Sequence, residues 1–248
     1  MAESTAQLGS AASSGIGEVL VSCRSFDEYR AMFALTDQDL ALALLDCPGG
    51  AAGFTAAAAA EGAHVQPCDP LYGSEPERLV ARAAADRRRA ERYVREHPDE
   101  YAWTFFAGIP DYRAQRGAAL AVFARDYETH RDRYVQASLP VLPFGDDAFD
   151  LVLSSHLLFA FADRLDLDFH LAAITEMTRV ASRGARIFPV FAMGSGPRLD
   201  LSPLRAELDR RGISTQLVAV DYEFQRGEPA MLVCHRTLTS SDRRDQAR

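Results

Sequence analysis

Apolar residues fall in short runs cut by glycine, proline and acids, with longer stretches of helical period between them. Leu42 to Asp46 is a short apolar run ending in an acid, followed by Cys47-Pro48-Gly49-Gly50 and an alanine-rich stretch from Ala51 to Glu61. This reads as buried strand, glycine turn and helix. His64 to Asp69 is a second short strand, and Phe149 to Leu153 a third with nearly continuous apolar character. From Asp168 to Ala181, Leu171, Ile174, Met177 and Val180 share one helical face, and Gly184 follows as a stop signal. Arg186 to Phe191 reads as a strand and Pro203 to Arg211 as a helix ended by Gly212. Gln216 to Val220 and Ala230 to His235 read as a closing antiparallel hairpin. Near the start, Ser25-Phe26-Asp27-Glu28 has the spacing of a capping box and predicts a helix to about Leu35. Strands alternating with helices predict an α/β fold with a mostly parallel sheet.

One stretch exceeds a minimal α/β unit. Between Asp69 and Ser138 the period is helical from Pro76 to Arg133, interrupted at His97-Pro98 and by the aromatic segment Tyr101 to Pro110. Connections in α/β units are usually short, so residues 76–133 read as a helical insertion capping the substrate side of the sheet. The expected organisation is an N-terminal arm and helix over 1–36, a core over 37–238 interrupted by this insertion, and a polar tail over 239–248. Residues 1 to about 14, small and polar, read as a mobile terminus.

Composition narrows the class. Apolar residues make up 48% of the 248, enough for a sizeable core,. A formal net charge of −8 argues against a nucleic-acid partner, which needs clustered cation. The run Arg87-Arg88-Arg89 lies among acids and reads as a solvated helix face. Every base is arginine and alanine abounds, a composition expected of a high-GC bacterial genome. Apolar stretches break well short of a membrane span. Cys23, Cys47, Cys68 and Cys234 lack zinc spacing and read as buried free thiols in a cytoplasmic protein.

Candidate chemistry gathers where the strands end. The glycines after Asp46 let backbone approach a ligand, and Asp69 suits a ribose diol, since a carboxylate accepts from two hydroxyls at once. Ser154-Ser155-His156 closes the Phe149 strand at the sheet edge where open α/β folds place ligands,. His156 is the candidate base, with a structural histidine as the competing reading. His170, Asp163, Asp166 and Asp168 lie nearby in sequence, but their acids read as a loop and helix start, and no metal is expected. Ser14-Gly15-Ile16-Gly17 has no apolar strand before it and is discounted as a dinucleotide loop.

Leu45-Asp46-Cys47-Pro48-Gly49-Gly50-Ala51 and Leu142-Pro143-Phe144-Gly145-Asp146-Asp147-Ala148-Phe149-Asp150-Leu151-Val152 resemble two motifs of the class I S-adenosylmethionine-dependent methyltransferases, in the family's order. The resemblance implies a Rossmann-like fold with a seven-stranded, mostly parallel sheet. It implies methyl transfer (EC 2.1.1 class) from S-adenosylmethionine to an acceptor, leaving S-adenosylhomocysteine. Residue by residue, it assigns Asp46 and Gly50 to the methionine end, with Pro48 beside them among the cofactor-binding residues, Asp69 to the ribose, Ser138 and Leu139 to the adenine, and the strand end Ser154-Ser155-His156 to the reacting centre, Ser154 also as a cofactor-binding residue. Trp103, Phe106 and Tyr112 of the insertion become candidate substrate contacts, with a purely structural role as the alternative. A small-molecule acceptor, in specialised metabolism, is expected. The chain departs from the family at the loop: Pro48, Gly50 and Ala52 stand where three glycines are usual, and Pro48 has no N–H to offer. A fold of this type that binds a ligand or partner without methyl transfer is therefore the second reading. A dinucleotide-dependent oxidoreductase is the third, with poorer glycine spacing.

Overall fold

The structure is a computed structural model and describes residues 5–6, 19–192, 198–227 and 229–237. The Ser14–Gly17 segment and the tail from Thr239 lie outside the described residues. The elements are β1 (Thr5–Ala6), α1 (Phe26–Met32), α2 (Asp37–Leu40), β2 (Ala43–Asp46), α3 (Phe54–Ala60), β3 (His64–Pro67), α4 (Pro76–Glu96), α5 (Ile109–Thr129), β4 (Leu151–Ser155), α6 (Leu167–Arg179), β5 (Ala185–Phe188), β6 (Arg198–Leu199), α7 (Ser202–Arg210), β7 (Ile213–Ala219) and β8 (Ala230–Arg236).

Six strands form the main sheet in the order β3-β2-β4-β5-β8-β7. Pairings among β2, β3, β4 and β5 are parallel, and β8 runs antiparallel to both β5 and β7. The seventh strand expected beyond β3 is reduced to one parallel bridge between Cys68 and Val135. Val135 donates its N–H to the Pro67 carbonyl at 3.1 Å and accepts from the Asp69 N–H at 3.1 Å. Pairing stops there because the partner chain turns away: Asp69 caps a 3₁₀ turn over Pro70–Gly73. The terminus read as mobile also differs in part, since Thr5–Ala6 pairs in parallel with Arg198–Leu199 in a separate two-stranded sheet.

The local signals translate directly into elements. Ser25 caps α1, its side chain accepting from the Glu28 N–H while Glu28 reaches back to the Ser25 N–H, which satisfies two end donors reciprocally. Asp166 caps α6 by accepting from the Phe169 N–H. One sheet face is covered by α6 and α7 through Leu171, Ile174, Met177, Leu204 and Leu208, all fully or nearly buried. The other face packs Tyr29, Phe33 and Phe54 against Leu44 and Leu153. A third cluster joins Val21 and Cys23 of the arm to Tyr72, Phe123, Tyr127 and Tyr134.

The insertion is two 21-residue helices broken at His97. It does more than cap one side, because α5 lies directly on the start of α3. A Cβ built on Gly53 would stand 2.8 Å from the Ala119 carbonyl oxygen, closer than real contacts allow. Backbone cannot yield as a flexible side chain does, so Gly53→Ala is expected to lower Tm by roughly 3–10 °C, equivalent to about 1–3 kcal/mol. Thermal unfolding followed by circular dichroism checks it; an unchanged Tm would mean that α5 does not press on Gly53 in solution.

Candidate active site

The parallel strands point their carboxyl ends at one edge, and the Asp46 loop crosses it. Gly50 sits at φ +55°, a conformation that a side chain strains. The loop leaves few donors unspent. Gly49 N–H donates to the Cys68 carbonyl at 2.9 Å, Ala51 N–H to Ser22 at 3.1 Å, Ala52 N–H to Gly49 at 3.2 Å and Gly53 N–H to Arg24 at 2.9 Å. Gly50 N–H donates to Asp69 Oδ2 at 3.0 Å. The arm residues Ser22 to Arg24 thus lie along the loop like an added strand. Tyr72 braces the loop from below by donating its hydroxyl to the Gly50 carbonyl at 2.9 Å. Phe123 and Tyr127 of α5 pack on Tyr72 in turn.

Asp69 is 6% exposed and lines a cavity of about 320 Å³, a volume ordinary for small-molecule sites. Its Oδ1 accepts from the Leu71 N–H at 2.9 Å. Burial raises its pKa against the lowering effect of the Leu71 and Gly50 donors. Each carboxylate oxygen keeps a second acceptor position. Pro48, Gly50, Ser138, Leu139 and His156 line the same cavity, as do Leu20, Val21, Ser22 and Ser155. Two of the candidate cofactor residues stand behind the wall. Asp46 is 1% exposed and receives the Tyr29 hydroxyl at 3.0 and 3.2 Å. Ser154 is fully buried, with Oγ unpartnered in the structure; its neighbour Ser155 is the serine that reaches the cavity.

His156 closes β4 at φ +53°, a strained conformation for a residue with a side chain. Its N–H donates to the Phe188 carbonyl at 2.7 Å, and its Nδ1 lies 2.9 Å from Ser155 Oγ. Ser155 in turn interacts with the Tyr29 hydroxyl. A polar chain therefore runs from His156 through Ser155 and Tyr29 to Asp46. Burial, then the Arg24 and Arg116 guanidiniums, hold the His156 imidazole well below its usual pKa, so the ring is neutral near pH 7. Burial likewise pushes Asp46 well above the carboxylate range, opposed by the Tyr29 hydrogen bond and reinforced by the Asp69 charge.

A second cavity, of about 80 Å³, adjoins the first. Both share Leu20, Val21, Ser22 and His156 as lining residues. Of the aromatic candidates, Tyr112 lines it, stacked on Phe224 at 4.9 Å. Phe106 and Trp103 pack edge-on against Phe224 at 5.1 and 5.7 Å and are not among its lining residues. Arg24, Arg87 and Arg116 also line it. Sequence reading assigned Arg87 to solvent and did not single out Arg24 or Arg116. The overlooked signal was the spacing of Arg116, four and seven residues before the apolar Leu120 and Phe123 and so on their helical face,. Around the first cavity, Ser22 and Leu71 were also missed; only the fold brings the arm over the loop. Cys47 and Cys68 are free and buried; a hydrogen bond to Cys68, then burial, raises the Cys47 pKa. His170 is buried with Nδ1 2.7 Å from the Asp166 carbonyl. Among the described residues no three His, Cys, Asp or Glu side chains gather as metal ligands would, and no helix is long and apolar enough to cross a membrane.

Residues 116–188, from α5 through β5, match the family model of the methyltransferase domain. The chain is accordingly similar to the class I S-adenosylmethionine-dependent methyltransferases, and the matched segment contains the β4 end with His156 but not the Asp46 loop. Across 214 residues it is 28% identical to the uncharacterized protein MJ0045 of Methanocaldococcus jannaschii, covering 86% of this chain and 94% of that one. Among solved structures, a SAM-dependent methyltransferase from Aquifex aeolicus aligns with a TM-score of 0.41 and 14% identity, covering 83% of this chain and 90% of its own. The mitomycin 7-O-methyltransferase MmcR aligns with a TM-score of 0.44 and 14% identity, covering 86% of this chain and 54% of its own.

The buried acid at the end of β2 makes a pH-dependent signature. Because the folded pKa of Asp46 lies above its unfolded value of about 3.9,, its contribution to stability is fullest below that value. It is lost as pH rises through the folded pKa. Asp46→Asn removes this titration. The Tm of Asp46→Asn relative to the parent is expected to be higher at pH 8 than at pH 4, measured by calorimetric melts. A difference independent of pH, or of opposite slope, would show that Asp46 is not held protonation-prone by burial.

Proposed function

We propose that this chain is an S-adenosylmethionine-dependent methyltransferase acting on a small-molecule acceptor in the cytoplasm. The observation that carries the reading is a single cavity lined by Gly50, Asp69, Ser138, Leu139 and His156, at the carboxyl edge of the parallel strands. The residues fit the ribose and adenine half of the cofactor: Asp69 offers acceptor positions to a diol, and Leu71 and Leu139 give apolar surface beside the exposed Ser138. S-adenosylmethionine would supply a methyl group activated by attachment to a sulfonium.

Methyl transfer needs an aligned acceptor and a dry, shaped site. The protein provides the second through Leu20, Val21 and Ser22, which wall both cavities. His156 is the residue for proton removal where the acceptor must lose one. In the tautomer whose Nδ1–H donates to Ser155 Oγ, the ring keeps Nε2 as its acceptor atom,. Asp46 and Tyr29 act as positioning residues at the far end of that chain.

A specific observation favours the second reading, ligand binding without transfer. The N–H groups of Gly49 to Gly53 are all spent on protein acceptors, so the loop offers a methionine carboxylate none of the usual donors. Calorimetry separates the two. On the methyltransferase reading S-adenosylhomocysteine binds at micromolar concentration, and Asp69→Ala weakens it about tenfold or more, as expected for a lost charged acceptor. No binding to the intact, folded protein would leave the second reading in possession. With an acceptor that loses a proton, His156→Gln is expected to lower kcat by about 10²-fold or more, leaving S-adenosylhomocysteine affinity within about threefold. An unchanged kcat would make His156 structural.

A further inference from the structure

The smaller cavity has a composition that the transfer reaction does not by itself require. Arg24 of the arm is 8% exposed and Arg116 of α5 is 4% exposed. Both turn to one fully buried carboxylate: Glu28 Oε1 lies 3.3 Å from Arg24 Nη1 and 2.8 Å from Arg116 Nη2. Tyr222 adds its hydroxyl to the same oxygen at 2.7 Å. Arg87 of α4 lines the cavity as well. Asp86, the acid in the lining, is already engaged by the Val21 N–H at 2.9 Å, Arg89 at 3.3 Å and Arg82 at 3.9 Å. The three guanidiniums of this cavity thus have, in Glu28, one carboxylate not shared with Arg82 or Arg89, and it already serves Arg24 and Arg116. The Nε atoms of Arg24, Arg87 and Arg116 are all buried and lack a hydrogen-bond partner in the structure.

Buried donors are normally satisfied, and buried charge is normally balanced. The Nε atoms are closed off from the cavity, so what a ligand can answer there is the charge: one negative charge, with two or more acceptor atoms for the guanidinium edges that line the cavity. A carboxylate does so in the plane that suits guanidinium forks. The remaining wall is apolar and aromatic, with Tyr101, Tyr112, Phe188, Phe191 and Phe224, and suits a hydrocarbon stem next to the charge. We propose that this cavity is an anion subsite that holds the carboxylate of a small monocarboxylic acid. Resting on the methyltransferase reading, one further step follows: the acid is the methyl acceptor, anchored among the arginines with a hydroxyl or amine at its other end beside His156, which both cavities share; that group would take the methyl as the S–CH3 bond breaks to leave S-adenosylhomocysteine, and its proton would pass to His156.

The probes are propionate, its neutral isostere propionamide, and inorganic phosphate. Saturation-transfer NMR titrations at fixed ionic strength use the 248-residue protein, alone and with S-adenosylhomocysteine. Propionate is expected to bind about tenfold or more tightly than propionamide, the charged hydrogen bonds making the difference. Arg24→Gln is expected to weaken propionate about tenfold and leave propionamide unchanged. Arg87 is only partly buried, so Arg87→Gln serves where Arg24→Gln fails to fold, with an expected loss of about threefold or more. Equal binding of acid and amide overturns the proposal, and so does propionate affinity indifferent to both substitutions or a preference for phosphate. Propionate selectivity in a protein that ignores S-adenosylhomocysteine supports the subsite and overturns only the methyltransferase reading.

Discussion

The buried carboxylate of Glu28 is the tie on which the site depends. It closes the capping box of α1 through one oxygen and gathers Arg24, Arg116 and Tyr222 at the other. Those partners come from the arm, the insertion and the segment before β8, so three distant pieces of chain meet on one side chain. Burying such a group is costly unless its partners come with it, and removing one partner from a buried pair typically costs about 3–5 kcal/mol. The arrangement is therefore cooperative. The arm cannot leave without exposing Arg24, and α5 cannot shift without stranding Glu28.

That tie explains how the arm comes to hold the Asp46 loop. Arg24, held by Glu28, fixes the backbone from Ser22 onward, and this backbone accepts from Ala51 and Gly53. From the other side α5 braces the same loop through Phe123, Tyr127 and Tyr72. The insertion is thus structural support for the loop as much as a cover. Pro48 and Ala52 become intelligible in this setting. A loop whose donors are spoken for by the arm, by Cys68 and Asp69 and by its own turn loses little when one position has no N–H,.

Much of the fold was legible in sequence because it rests on local rules. The Ser25–Glu28 box, the Gly184 stop and the apolar runs ending at Asp46 and Ser155 each state their element without tertiary context. Residues 134–137 read as a strand in sequence, yet they pair at a single bridge, because their partner turns off at Pro70. In the site, Gly50, Asp69 and His156 were visible because strand ends and turns converge on one sheet edge. Ser154 and Ser155 were not separable, since a shift of one residue along a strand exchanges faces. Arg24, Arg87 and Arg116 were hidden for a different reason. In a chain whose every base is arginine, no single arginine stands out, and only folding reveals which have been taken from water.

Burial first, and then the arginines, act on the histidine. Arg24 and Arg116 stand among the causes that hold the His156 imidazole neutral, and the same field opposes its taking up a proton. An anion among those guanidiniums cancels part of that field, and a cancelled positive charge raises the pKa of a neighbouring base. Recognition of an acid and readiness to accept a proton are then one electrostatic event. The polar chain from Ser155 through Tyr29 to Asp46 serves the complementary end, because a ring that gains a proton at one nitrogen needs the other held by an acceptor. An acid-free site would keep His156 a poor base, and the sharing of His156 by both cavities is what permits the coupling.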